Sequence, residues 1–155
     1  MTLSRGWVAL LLLVGSSVSA AEYTINAVVT SWAPQILYVQ PGDTVKWAQM
    51  AGHDTETIPG MLPAGAAPWK AQMGEDGFTV RLIQEGVYLY RCNPHMTAGM
   101  VGAIVVGEGA PKNLAGLEKE VPNMTFGKSV VGRLLHSLTE DLQSTGHVSG
   151  SAVGF

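Results

Sequence analysis

Short stretches in which apolar and polar residues alternate, separated by turn residues, limit the folds open to this chain more than any other feature. Strand-like stretches of this length, either alternating or continuously apolar, lie at 23–30, 36–39, 44–47, 78–82, 87–92 and 100–106. The 19 glycines and 8 prolines of the chain favour many turns, and hence short strands. Strands at this spacing predict an all-β, antiparallel sandwich.

Two of the stretches show how apolar residues are distributed between the faces of a strand. Residues 100–106 are apolar at consecutive positions, as in a central, covered strand. The stretch 87–92 divides by alternation into two sets, with Tyr88, Tyr90 and Cys92 on one face and Val87 and Leu89 on the other.

The connections are less regular than the strands. The turn Pro41-Gly42-Asp43 predicts a hairpin-like link between the stretches that flank it. Residues 51–77 are rich in glycine and proline and predict a long loop region with at most one short strand or helical turn.

The end of the chain changes to a helical pattern. Residues 111–120 predict a short helix or turn, and apolar residues recur at helical spacing over 127–143. We expect the sandwich to cover 21–109, helices packed on it to cover 110–145, and a flexible tail to cover 146–155.

The first twenty residues have the layout of a secretory signal peptide. Arg5 precedes an apolar run over 7–14, and small residues at 18–20 offer a cleavage site. The run is short for a membrane anchor, the alternative reading, so we expect a mature chain that begins at Ala21 or Glu22. It would carry 8 basic and 12 acidic residues, which argues against nucleic acid or an anionic membrane as partner.

Cys92 is the only cysteine, although an exported domain commonly uses disulfides. A buried thiol, an intermolecular bridge and a free thiol are the ordinary readings of such a residue. Its neighbours favour another one, because His95 and Met100 follow within nine residues and His53 lies in an earlier loop. The sandwich can bring both loops to one end, so the four side chains form a candidate metal site.

The four donor types suit copper better than zinc. A thiolate favours Cu(I), imidazoles also serve Cu(II), and a weak axial thioether lets one geometry hold both oxidation states. Structural zinc sites usually use more cysteines. The sequence therefore predicts one copper ion per chain, bound by His53, Cys92, His95 and Met100.

The motifs around these residues resemble the cupredoxins, and within them the pseudoazurin family. The resemblance covers most of the mature chain. It is carried by the spacing Cys92-x-x-His95-x-x-x-x-Met100, by Gly52-His53 upstream, and by the runs 41–45, 58–63, 86–92 and 99–102.

The resemblance implies an eight-stranded Greek-key sandwich with copper under one end and a helical C-terminal extension. It implies that His95 is the partly exposed ligand through which an electron passes, and that His53 is more buried. The backbone N–H of Asp54 would support the Cys92 sulfur. Met61, Met96, Pro94 and Pro59 would form an apolar docking rim around His95.

Two residues beside the ligands depart from the family pattern. Asp54 stands where asparagine is common, and Asn93 stands where threonine is common. We expect Asn93 to donate a hydrogen bond to Asp54, so that the two ligand loops remain tied together. A carboxylate at this place would favour Cu(II) and lower the reduction potential.

The resemblance implies a monomeric electron-transfer protein of the bacterial periplasm rather than an enzyme. A copper nitrite reductase or a c-type cytochrome would be its partner. The family's lysine-rich ring around the exposed histidine is sparse in this chain, which leaves both partners open.

Other functions are weaker readings of the same residues. A copper carrier would use a methionine cluster, but Met50, Met61, Met73, Met96 and Met124 are scattered along the chain. A copper oxidase would need a second centre, and we read the spare His136 and His147 as structural or solvated. A hydrolase would need a base for Cys92, whereas His95 is more simply a ligand.

Overall fold

A computed structural model of the chain describes residues 19–146. The signal peptide expected at 1–20 and the flexible tail expected at 146–155 lie almost wholly outside the described residues, as does His147.

Within residues 19–146 the chain forms eight strands, two α-helices and two short 3-10 turns. The strands are β1 (Glu22–Val28), β2 (Ser31–Ala33), β3 (Ile36–Val39), β4 (Thr44–Ala48), β5 (Glu56–Thr57), β6 (Thr79–Arg81), β7 (Gly86–Arg91) and β8 (Val101–Val106). The helices are α1 (Leu114–Glu120) and α2 (Lys128–Ser144), and the 3-10 turns are Met96–Ala98 and Val121–Asn123.

The strands form two four-stranded sheets, in the order β2-β1-β4-β6 in the first and β3-β8-β7-β5 in the second. The all-β sandwich with a helical C-terminal extension is confirmed. The strictly antiparallel arrangement is wrong, because β1 runs parallel to β4 and β3 runs parallel to β8. The chain crosses between sheets after β3, and the local pattern of a strand does not specify which strand lies beside it.

The turn Pro41-Gly42-Asp43 makes one of these crossings and not the predicted hairpin-like link. The Asp43 carboxylate accepts hydrogen bonds from the backbone N–H of Gln40 at 2.7 Å and of Ala21 at 2.8 Å. The N–H of Thr44 then donates to the carbonyl of Ala21 at 2.9 Å. The chain that leaves the turn is therefore bound to β1 in the other sheet.

Strand β7 is buried on both faces, and its residues divide between those faces as the alternation predicts. Tyr88 and Tyr90 lie in a core between the two sheets, with Ile25, Val45 and Trp47 of the first sheet. Val87 and Leu89 lie in a second core on the opposite face, together with Ala103 and Val105 of β8. The second sheet is thus the middle layer of three.

The outer layer of the second core is helical. Helix α2 buries the apolar side chains that the sequence places on one face, namely Val131, Leu134, Leu135, Leu138 and Leu142. Helix α1 buries Leu117 in the same core. The side chain of Asn113, the residue just before α1, accepts a hydrogen bond from the N–H of Val87 and donates one to the carbonyl of Val87. None of the helices in residues 19–146 is long and apolar enough to cross a membrane.

Gly102 is required where Tyr90 crosses the neighbouring strand. The two residues are directly paired between β7 and β8, and a Cβ on Gly102 would lie 2.4 Å from the Tyr90 hydroxyl oxygen. Tyr90 is fully buried, with Trp47 and Trp32 within 5.5 Å of it between ring centroids, so the ring has no space to move.

We predict that Gly102→Ala lowers the free energy of unfolding by about 1–3 kcal/mol through overpacking. Gly116→Ala is the matched control, since no atom lies within 4 Å of its Cβ position on α1. That change should stabilise the protein by about 0.4–1 kcal/mol. Chemical denaturation of the copper-free protein measures both, and equal effects of the two substitutions would contradict the packing argument.

Candidate metal centre

Three of the four predicted ligands converge at one end of the sandwich. The Cys92 Sγ atom lies 3.7 Å from the Nδ1 atom of His53 and 3.5 Å from the Nδ1 atom of His95. One ligand atom from each of the three residues lies within 4.8 Å of the other two. The fold thus brings together His53 and Cys92, which are 39 residues apart in the sequence.

These distances fit donors around a single ion. Nitrogen and sulfur atoms that bind a metal at about 2.0–2.3 Å, with angles near 110–120° between them, lie about 3.5–3.8 Å apart. Both Cys92–imidazole separations fall in that interval. The three side chains are therefore placed to hold one ion.

The ligand loop from Cys92 to Met100 is closed by its own backbone. The N–H of Cys92 donates to the carbonyl of Met100 at 3.0 Å, and the N–H of Met100 donates to the carbonyl of His95 at 3.1 Å. Gly99 permits the reversal because it adopts a φ of 104°, where a residue with a side chain is strained.

Met100 lies at the other end of that loop, and its side chain is fully buried in the same core cluster as Cys92. Its role as the fourth ligand remains a prediction.

The His53 loop is fixed by bonds on both sides of the histidine. The N–H of His53 donates to the carbonyl of Met50, and the N–H of Gly74 donates to the carbonyl of His53, both at 2.8 Å. His53 is 8% exposed, and the neighbouring Trp32 on β2 has its ring 6.5 Å away. The more exposed ligand is His95, which is half-buried.

Burial governs the charge states of the ligands. It raises the pKa of the Cys92 thiol, while hydrogen bonds with the backbone of Asp54 and His95 lower that pKa and the Asp54 carboxylate raises it. Burial and the neighbouring His95 lower the pKa of His53, against a smaller opposite effect of Asp54. A metal at this site therefore meets a neutral His53 imidazole and displaces a proton from Cys92.

The expected link between Asp54 and Asn93 is present. The backbone N–H of Asn93 donates to one Asp54 carboxylate oxygen at 2.6 Å, and the Asn93 side-chain amide donates to the other at 2.8 Å. Since Asp54 follows His53 and Asn93 follows Cys92, this pair joins the two ligand loops.

The docking rim predicted around His95 is partly wrong. Pro59 and Pro94 are exposed, but Met61 is only 2% exposed and Met96 only 1%. Both methionines point into the core between the second sheet and the helices. Met96 is buried because its side chain packs against Gly127, the residue just before α2.

Sequence reasoning missed three residues beside the site. Trp32 lies on a strand of three residues, too short to show alternation. Glu56 lies in the region that the sequence predicts to be a loop. Gly127 adjoins Met96 of the ligand loop only because α2 packs there. The neighbours Thr55 and Thr57 are polar although the fold buries them, so the sequence shows no apolar alternation that could have indicated a strand at Glu56.

A sandwich end that presents two imidazoles and one thiolate to a single ion defines a mononuclear metal-binding protein. Residues 20–107 match the family model described as copper binding proteins, plastocyanin/azurin family. The match covers more than half of the chain, and the chain belongs to this family. Copper is accordingly the metal that His53, Cys92 and His95 are positioned to hold.

Within the family the chain is similar to pseudoazurins. It is 41% identical over 76 residues to the pseudoazurin of Methylorubrum extorquens, covering 48% of this chain and 51% of that protein. It is 37% identical over 93 residues to a putative pseudoazurin of Rhizobium leguminosarum, covering 59% and 60%. The chain thus spans about half to three fifths of the length of these curated relatives.

Solved structures extend the likeness over most of the domain. The pseudoazurin of Methylobacterium extorquens AM1 superposes with a TM-score of 0.68 at 29% identity, covering 79% of this chain and 99% of the other. A Sinorhizobium pseudoazurin superposes with a TM-score of 0.65 at 32% identity, covering 76% and 96%.

We predict that metal binding releases about one more proton from the wild type than from Cys92→Ser, because only a thiolate binds the ion. The raised pKa of Cys92 keeps the thiol protonated at neutral pH, so the apparent affinity should rise as pH rises toward that pKa. Calorimetric titration with Zn²⁺ in buffers of different ionisation enthalpy measures the difference. Equal proton release from both proteins would contradict the assignment of Cys92.

Proposed function

We propose that the protein carries single electrons through one copper ion held by His53, Cys92, His95 and Met100. The observation that carries the proposal is the cluster of three donors, buried on the side of Cys92 and His53 and half-exposed at His95. Bound copper supplies a one-electron couple between Cu(I) and Cu(II).

The residues of the chain would make this exchange fast by holding the donors still. Backbone hydrogen bonds fix both ligand loops, and the Asp54–Asn93 pair joins them. Burial of Cys92 and His53 excludes water from the thiolate side. A site that keeps one geometry in both oxidation states needs little rearrangement for each electron.

His95 would be the point of electron entry and exit. It is half-buried, and the residues that flank it in the ligand loop, Pro94, Thr97 and Ala98, are exposed. With Met61 and Met96 in the core, the contact surface would consist of this loop. A partner that covers His95 would shield the site without contacting copper directly.

The sequence and the relatives support a compartment and leave two classes of partner open. The signal-like residues 1–20 and the similarity to pseudoazurins support export to a bacterial periplasm. Lys70 and Arg91 both pair with Glu56, so they are not available as a free positive ring. This supports a c-type cytochrome at least as well as a copper nitrite reductase.

The positions of the other methionines support electron transfer over copper carriage. Met50 is buried between the sheets, Met61 and Met96 are buried on the helix side, and Met73 is 56% exposed. A carrier would bring such thioethers together around exchangeable ions.

We predict that one equivalent of Cu²⁺ gives the chain from Ala21 an intense thiolate-to-copper absorption band, which a mild reductant bleaches. Cys92→Ser should remove the band, because the sulfur that donates charge to copper is gone. Visible and EPR spectra measure both. Colourless binding of more than one equivalent as Cu(I), independent of Cys92, would replace this proposal by the carrier function.

We predict that Met100→Leu keeps the intense band but raises the reduction potential, since loss of a thioether donor would favour Cu(I). Met61→Leu is the matched control, because it also exchanges a buried methionine, 2% exposed, but in the helix-side core. Cyclic voltammetry measures both potentials. Equal potentials of Met100→Leu and Met61→Leu would remove Met100 from the ligand set.

A further inference from the structure

Glu56 lies beside the metal centre without contacting a ligand, and it joins three parts of the chain. It belongs to β5 and is directly paired with Arg91 of β7. Its carboxylate accepts a hydrogen bond from the Asn93 side-chain amide at 2.6 Å. The same carboxylate lies 3.5 Å from the Arg91 guanidinium and 3.8 Å from the Lys70 ammonium.

Asn93 suits this place because a primary amide carries two hydrogens. Its Nδ2 atom donates to Asp54 at 2.8 Å and to Glu56 at 2.6 Å, so one amide bridges two carboxylates. A threonine hydroxyl has one hydrogen and would satisfy one of them. The presence of Asn93 is therefore what brings Glu56 into contact with the ligand loop.

The bond between Asn93 and Glu56 outweighs the ion pairs of Glu56. Lys70 is 67% exposed in its side chain, and such a surface pair contributes little. The Arg91 guanidinium is better shielded from solvent, but its nearer terminal nitrogen lies 3.5 Å from the Glu56 carboxylate. Its other terminal nitrogen donates to the Met96 sulfur at 3.8 Å. The short amide–carboxylate bond is charge-assisted and partly buried, which makes it the strongest of these contacts.

We infer that Glu56 is a positioning residue of the copper site. Glu56 accepts a hydrogen bond from one hydrogen of the Asn93 amide, and this orients the amide so that its other hydrogen donates to Asp54. The link between the His53 and Cys92 loops is thereby fixed. Arg91 extends the same network to Met96 further along the ligand loop. The inference rests on the proposed copper function and adds to it a residue that acts on the ligands through Asn93.

The test compares two substitutions of Glu56 in the copper-loaded protein. Glu56→Ala removes the acceptor and should speed the loss of Cu²⁺ to a chelator by up to about tenfold, the lower end of the cost in affinity when a group bonded directly to a ligand is removed. It should also change the copper hyperfine splitting in EPR. Glu56→Gln keeps a carbonyl acceptor and should restore the rate and the splitting, while the loss of negative charge raises the reduction potential.

Two further variants separate positioning from general stability. Lys70→Ala removes the exposed ion pair of Glu56 and should leave the copper-loss rate and the EPR spectrum unchanged. In an Asn93→Thr background, which lacks the bridging amide, Glu56→Ala should add no further acceleration. Denaturation of each copper-free variant shows whether it is folded.

The results distinguish this inference from the proposed function. A wild type without the intense copper–thiolate band would overturn the proposed function itself. With that band present, copper loss from Glu56→Ala at the wild-type rate would overturn the role of Glu56 alone. The same acceleration with and without Asn93 would also overturn it, because the effect would not pass through the amide.

Discussion

The burial of β7 on both faces is the constraint on which the metal centre depends. Tyr88 and Tyr90 fix the strand against the first sheet, while Val87 and Leu89 fix it against the helices. Cys92 directly follows this strand, so its sulfur has little freedom of position. Each ligand loop needs only a few hydrogen bonds to bring an imidazole to that sulfur, at 3.5 and 3.7 Å.

Opposing electrostatic effects meet at Cys92. The carboxylates of Asp54 and Glu56 add negative charge near the thiolate, which favours Cu(II). Backbone hydrogen bonds of Asp54 and His95 withdraw charge from the sulfur, and Arg91 and Lys70 offset the charge of Glu56. Asp54 is the larger influence of the two acids, because it is 7% exposed and adjoins His53, whereas Glu56 is paired with two cations.

The sequence predicted most of what depends on local pattern. Local pattern placed β3 at its observed bounds, and helical periodicity placed α2 within one residue at each end. The order of Cys92 and His95 with an earlier His53 identified the three donors that the fold brings together. It did not predict the parallel pairing of β1 with β4, since pairing is decided by crossings between sheets. It misplaced Met96, because loop position alone does not show that Gly127 provides a buried space for that side chain.

The position of Met96 gives the helical extension a second structural role. A Cβ on Gly127 would lie 2.2 Å from the terminal carbon of Met96, so the start of α2 and the ligand loop fit together closely. Tyr38 of β3 bonds to Asp141 near the other end of α2, which fixes the helix against the second sheet. A helix held at both ends limits the movement of Met96, and hence of the loop that carries His95. The C-terminal helix therefore supports the ligand geometry as well as covering the core.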